Sequence, residues 1–297
     1  MKKLMMLLLA LSMMMGCALA DDAALAPLPM DFSAGYVADP ANYSEDGSSY
    51  TDPTITVTVE HVWVGNARFN VARVKITDPS QMRIGLAAPF GSTRTRKVSE
   101  IAAKSNAIVA IGGDYFSNNE GGYVIRMGEV YRRKPFASRD MLVTDIHGDF
   151  HIIPSENIAA VVQDIKENEN KIVNIFNFGP ALVIDGVLQE MPEKSIGNIH
   201  ELEPRCAIGQ LGELEYMLVM VDGRGAADSE GCTVATMAQF MFDQGCTQAY
   251  NLDGGNSALM VFGGENFSSK KVENERDISD IIYFSTLIPS DTAEAGE

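Results

Sequence analysis

The sequence predicts an α+β fold: a mixed β-sheet core flanked by a few helices, built as a single catalytic domain. Three observations predict it. Short apolar or alternating runs of strand length recur along the chain and outnumber helical periods. Most of these runs end in turns containing Gly, Pro, Asn or Asp. No internal repeat and no linker after residue 54 divides the chain. At 297 residues, 46% hydrophobic and with mean hydropathy −0.01, the chain can bury a substantial core.

In chain order, residues 1–20 are expected to be a secretory signal. Lys2 and Lys3 precede an apolar run over 4–15 that is too short to span a bilayer, and small residues follow. Its end reads in two ways. Ala18-Leu19-Ala20 before Asp21 fits signal-peptidase cleavage, whereas Met14-Met15-Gly16-Cys17 resembles a lipobox, in which Cys17 is lipidated and becomes the N-terminus. Either way the mature chain is expected to be exported, secreted or attached to the cell envelope, with membrane contact only through a lipid on Cys17. Residues 21–53, rich in Ala, Pro, Asp and Ser, are expected to be a flexible lead-in. The catalytic domain is placed at 54–290, and 291–297 form an acidic tail.

Within the domain, Ile55, Val57 and Val59 alternate with Thr56, Thr58 and Glu60, the pattern of a half-buried strand, with neighbours expected over 69–76 and 82–87. The single Trp, Trp63, is read as core. A short helix over 98–105 leads into the apolar strand 107–111, which runs out into Gly112-Gly113-Asp114-Tyr115-Phe116. Hairpins are expected around Met127-Gly128 and His147-Gly148-Asp149, a capped helix over 155–164 and a solvated loop over 166–171. Strands 172–178 and 181–184 flank Gly179-Pro180. Pro204-Arg205-Cys206 opens another strand, and the apolar run 216–221 ends in Asp222-Gly223-Arg224. Over 232–244, Val234, Met237, Ala238, Met241 and Phe242 recur at helical steps, and Gly245 stops the helix. Asn251-Leu252-Asp253-Gly254-Gly255-Asn256-Ser257 then turns the chain into a short apolar strand, and 280–287 closes the domain.

The formal charge is −17, and −19 without Lys2 and Lys3. Such a surface repels nucleic acid and anionic lipid, which excludes both as partners. An anionic substrate would need a local cluster of arginines. Of the cysteines outside the signal, Cys232 and Cys246 sit at opposite ends of one helix, about 20 Å apart at the usual rise and beyond disulfide reach. Cys206 could pair with either, or all three could be buried thiols. The sequence has no Gly-x-Ser-x-Gly elbow, P-loop, His-Glu-x-x-His or dinucleotide fingerprint, and His61, His147, His151 and His200 fall outside the polar turns. Carboxylates with arginines remain.

Three polar clusters share one design, a buried strand running into a glycine-containing turn: Gly113-Asp114-Tyr115, Asp222-Gly223-Arg224 and the 251–257 heptapeptide. Each Asp-Gly is also an ordinary turn dipeptide. Arg205 suits a phosphate through its planar fork, or a plain solvated role. Thr233, in the first turn of the 232–244 helix, could help hold an anion there or simply cap it.

Together Gly112-Gly113-Asp114-Tyr115-Phe116, Phe178-Gly179-Pro180-Ala181-Leu182-Val183, Pro204-Arg205-x-Ala207-Ile208-Gly209, Asp222-Gly223-Arg224, Gly231-x-Thr233 and Asn251-Leu252-Asp253-Gly254-Gly255-x-Ser257 resemble, in order, the phosphodiester glycosidase family, over roughly residues 100–288. An animal member of that family is the mannose-6-phosphate uncovering enzyme. The resemblance implies hydrolysis of a sugar-1-phosphodiester at the anomeric carbon. It places Asp253, Asp114 and Asp222 as catalytic candidates, and Arg205, Arg224, Asn251, Ser257, Thr233, Gly254 and Gly255 as substrate contacts. Asn251 and Ser257 would fix Asp253 by hydrogen bonds. Gly112 stands where many relatives have Asn, and Cys206 where many have Thr, which bears on substrate choice. No cofactor is required. Whether a divalent metal takes part is undecided, since Asp114, Asp222 and Asp253 could jointly hold one. The competing expectations are a phosphodiesterase cleaving P–O and a non-catalytic envelope protein that binds glycan phosphates.

Overall fold

The computed structural model describes residues 25–193, 197–269 and 275–289; the signal, Cys17 and the tail 291–297 lie outside them. The fold is α+β, with sheets at its core and, among the described residues, three α-helices against them. The strands form three sheets among the described residues, one of eight strands and two of five, and every pairing between the named strands is antiparallel.

The centre of the large sheet holds the strands Ala67–Ile76, Glu215–Val221, Arg205–Gly212 and Gln248–Leu252, side by side in that order. The strand Glu215–Val221 is buried on both faces, and its period of two divides it between two cores. Leu218 and Met220 join one hydrophobic cluster, while Met217, Val219 and Val221 join another. The second cluster is completed by Val234, Met237, Ala238 and Met241 of the helix Val234–Asp243, whose three- and four-residue spacing presents them to the sheet.

The five-stranded sheet containing Val109–Gly112 and Asp280–Phe284 lies beside the large one, and the other contains Gly122–Arg126 and Ile172–Phe176. Both expected hairpins form, Gly122–Arg126 with Glu129–Lys134 and Met141–Asp145 with Phe150–Ile153.

Several local expectations change. Trp63, read as core, is 53% exposed, because the outer end of the Ile55–Val64 strand runs past the core. Within 155–171, a 3₁₀ turn Ser155–Asn157 without a side-chain cap precedes the helix Ile158–Glu167, and a second 3₁₀ turn, Glu169–Lys171, occupies half of the expected loop. Residues 25–53, expected as a flexible lead-in, are held against the domain. Arg83, fully buried, donates to the carbonyls of Pro29, Asp31 and Ser33, and Ser49–Thr51 pairs with the Ile55–Val64 strand. A buried guanidinium needs acceptors, and this segment supplies them. Cys206, Cys232 and Cys246 are buried and form no disulfide among the described residues, and burial pushes the Cys232 thiol up to about 12.

Candidate active site

Register explains why distant motifs meet. Arg205, at the start of its strand, pairs with Val221 at the end of the neighbouring one, and Cys206 pairs with Leu252 at the end of the strand on its other side. Antiparallel pairing therefore puts Arg205 beside the two turns that begin at Asp222 and Asp253. The Val109–Gly112 strand delivers a third turn from a different sheet: the Asp253 N–H donates to the Gly113 carbonyl at 3.2 Å. Asp253, Arg205 and Arg224 line one cavity of about 220 Å³, together with Phe178, Gly254 and Gly255.

Two glycines make the 253–257 turn feasible. A Cβ on Gly254 would sit 2.7 Å from the Pro204 carbonyl oxygen, and Gly255 has φ +58° while its N–H donates to that same oxygen. Backbone approaches backbone here because neither residue has a side chain.

Asp253 is 8% exposed, and its Oδ2 accepts from Arg276 at 2.7 Å. Burial raises its pKa above the ordinary carboxylate value. The Ser257 hydroxyl and Arg276 oppose that shift, and the negative charge of Asp114 adds to it. Ser257 lies beside the carboxylate without a well-aligned hydrogen bond. Arg276 is half-exposed and stacks on Tyr115, 4.6 Å from the ring centroid, and Tyr115 itself holds a left-handed φ of 58°.

Asp114 is buried in an ion triad. Its Oδ1 accepts from Arg126 at 2.7 Å and its Oδ2 from the Asn177 N–H at 2.8 Å. The same guanidinium donates to Asp280 at 2.9 Å and lies 4.4 Å from the Phe176 ring centroid. Burial, together with the nearby Asp114 charge, raises the Asp280 pKa to about 6 against the pull of Arg126.

Other expected site residues are engaged structurally. The Arg205 guanidinium donates to the carbonyls of Cys232, Asn198 and Glu201, so it staples the 198–201 loop and lends its charge to the cavity wall. Arg224 is fixed by Glu203 at 2.7 Å and Asn256 at 2.8 Å. Asp222, expected among the catalytic carboxylates, is fully buried. It accepts from Asn70 at 2.9 Å and from the Ser269 N–H at 3.0 Å, which anchors the turn carrying Arg224. Thr233 accepts from the Thr236 N–H as the helix cap. Asn251, expected to fix Asp253, donates instead to the Gly179 carbonyl at 2.7 Å, so Arg276 is the residue that grips Asp253. Asp114, Asp222 and Asp253 do not form one ligand set: among the described residues no three His, Cys, Asp or Glu side chains converge as a metal site.

Sequence reasoning missed Arg126, Asp280 and Arg276. For the first two the signal was a charge at the edge of an apolar strand run, Val124-Ile125-Arg126 and Asp280-Ile281-Ile282. Arg276 carried none.

A sequence profile described as phosphodiester glycosidase matches residues 105–285. The fold is similar to the catalytic domain of zebrafish N-acetylglucosamine-1-phosphodiester alpha-N-acetylglucosaminidase, auto-inhibited by its pro-peptide, with TM-score 0.60 and 19% identity over 84% of this chain and 87% of that one. A hypothetical protein from Synechocystis is similar at TM-score 0.57 and 19% identity, over 77% of this chain and 62% of that one. An uncharacterised SPbeta prophage-derived protein of Bacillus subtilis, YomE, is 26% identical over 201 residues, 66% of this chain but 30% of that relative's length.

Proposed function

The chain belongs to the phosphodiester glycosidase family, and from that premise we propose that it hydrolyses the bond between the anomeric carbon and the phosphate oxygen of a sugar-1-phosphodiester. The products are the sugar and a phosphomonoester. The observation that carries this reading is the single cavity in which a carboxylate, Asp253, faces arginine-bearing walls. A carboxylate beside guanidinium groups suits attack at a carbon whose leaving group is an anion.

Asp253 is the catalytic carboxylate, acting as base or nucleophile toward the anomeric carbon. The water oxygen joins that carbon, the C–O bond to phosphate breaks, and the water proton leaves through Asp253. Arg224, which shares the cavity with Asp253, holds the phosphate, Arg276 grips Asp253, and Arg205 contributes charge through the wall it staples. With its charge held, the phosphomonoester leaves without a strong general acid. Asp114, held by Arg126 and the Asn177 N–H, acts on Asp253 through its charge. Asp222 positions Arg224.

The test is a panel of sugar-1-phosphodiesters, beginning with the N-acetylglucosamine-1-phosphodiester that the zebrafish enzyme's name specifies. Release of reducing sugar together with a phosphomonoester supports the reading; binding without turnover of any member contradicts it. We further assign the protein to the outside of the cytoplasm on the pattern of residues 1–20. N-terminal analysis of the mature chain is expected to begin at Asp21 or at a lipid-modified Cys17; retention of Met1 in the mature chain contradicts export.

A further inference from the structure

We propose that a separate cavity, between the helix Val98–Lys104 and the strand Glu129–Lys134, binds an acidic saccharide, one whose sugar rings carry carboxylates. The proposal does not depend on the reaction assigned above, because this cavity shares no lining residue with the catalytic one.

The cavity has a volume of about 720 Å³, against about 220 Å³ around Asp253, and that size suits a small-molecule ligand. Four segments build it. Arg83 holds the carbonyls of Pro29, Asp31 and Ser33, and so fixes the segment that carries Phe32. The loop after the strand Met82–Leu86 carries Phe90, Arg94 and Arg96, and is tied down where Arg96 and Ile278 exchange backbone hydrogen bonds at 3.0 and 2.7 Å. On the helix, Ile101 and Lys104 are three residues apart and both line the cavity. The fourth segment is the strand. Its register skips Tyr131, a bulge of the kind that re-aims a side chain, and the Tyr131 ring lies on Phe90.

The wall sets the ligand's charge. The chain carries a formal −17, yet Arg94, Arg96 and Lys104 all line this cavity, and Glu129 is the only acid among its described lining residues. Arg96 is partly committed: its Nε donates to the Ala87 carbonyl at 3.0 Å and its Nη1 lies 3.7 Å from Glu100. The Arg94 guanidinium and the Lys104 ammonium are exposed and have no hydrogen-bond or ionic partner among the described residues. Cations gathered on one wall attract an anion, and a carboxylate fits the guanidinium fork.

The aromatic residues point to a sugar. Phe90 and Tyr131 stack with centroids 3.7 Å apart, Phe32 lies 6.1 Å from Tyr131, and all three are half-buried, so part of each ring stays accessible. Such rings give the C–H face of a sugar an apolar floor, which an acidic peptide or a bare anion would not use in full. Glu129 accepts from the Tyr131 hydroxyl at 3.0 Å through one oxygen, and its other oxygen is open to a sugar hydroxyl.

Calorimetry on the full chain compares three probes: an oligogalacturonate, a neutral maltooligosaccharide of the same length, and an oligoglutamate of the same charge. The oligogalacturonate is expected to bind about tenfold more tightly than either of the others, and added salt should weaken it. The double variant Arg94→Gln, Lys104→Gln removes two exposed charges that hold nothing in the fold. Its Tm and its hydrolysis of sugar-1-phosphodiesters should match the wild type, while its affinity for the oligogalacturonate falls about tenfold. No oligogalacturonate binding by the wild type, or unchanged affinity in the double variant, overturns the site. Equal affinity for the oligoglutamate removes the sugar from the proposal, and equal affinity for the maltooligosaccharide removes the charge; either result overturns it. The binding measurements need no turnover, so they stand apart from the hydrolytic assignment.

Discussion

At the residue scale, the chemistry turns on how Asp253 is balanced. Burial raises its pKa, and the Ser257 hydroxyl and Arg276 pull it back. As base or nucleophile it works when ionised, so kcat/KM should fall as pH drops through a value above the ordinary carboxylate range. Arg276→Gln removes one opposing charge, so the acid limb should move to higher pH; an unmoved limb means that Arg276 does not tune Asp253. Asp253→Asn should lower kcat by on the order of 10²–10⁴ with an unchanged Tm, and full activity in that variant removes Asp253 from the mechanism. Asp253 was legible because it sits in a turn between apolar runs. Arg276, 23 residues further on, was not, because a lone arginine outside any strand or motif leaves no pattern. Arg205 was legible as a charge opening a strand, but its carbonyl partners come from loops the sequence does not place.

At the scale of elements, the ends of strands from different sheets are tied by the Asp114–Arg126–Asp280 triad. Arg126 belongs to the strand Gly122–Arg126 and Asp280 opens the strand Asp280–Phe284, 154 residues away. Arg126→Met leaves two carboxylates buried near each other, and unfolding in urea should show a loss of about 3–5 kcal/mol. A loss indistinguishable from zero would mean that the triad is not what joins these sheets. Asp280 also makes a pH-dependent contribution. Its folded pKa, about 6, exceeds the ordinary 3.8, so across that window the native state holds a proton the unfolded chain has released. Stability from this group is therefore present at the acid end and lost as pH rises through about 6. Asp280→Asn should abolish that slope, read from urea midpoints over the same window; an unchanged slope assigns it to other groups. Strands and hairpins were legible because period-two runs and turn residues are local signals. The triad was not, since partners in separate sheets share no spacing.

At the scale of the whole molecule, the α+β class followed from the dominance of short apolar runs, and the active cavity followed from antiparallel register. Pairing Arg205 with Val221 and Cys206 with Leu252 obliges three motif-bearing segments to begin or end at one place. The order of motifs was legible; the division of the core into three sheets was not, because strand runs do not announce their partners. Residues 25–53 were misread for a related reason. Their composition is that of a loose segment, yet their carbonyls satisfy a buried Arg83 whose depth only the fold reveals. The central claim is that this assembly breaks the bond from carbon to oxygen and leaves the phosphorus untouched. Turnover of a sugar-1-phosphodiester in oxygen-18 water, with both products weighed by mass spectrometry, tests it most directly. The account predicts the heavy oxygen on the anomeric carbon of the released sugar and none on the phosphomonoester; heavy oxygen on the phosphate would contradict it.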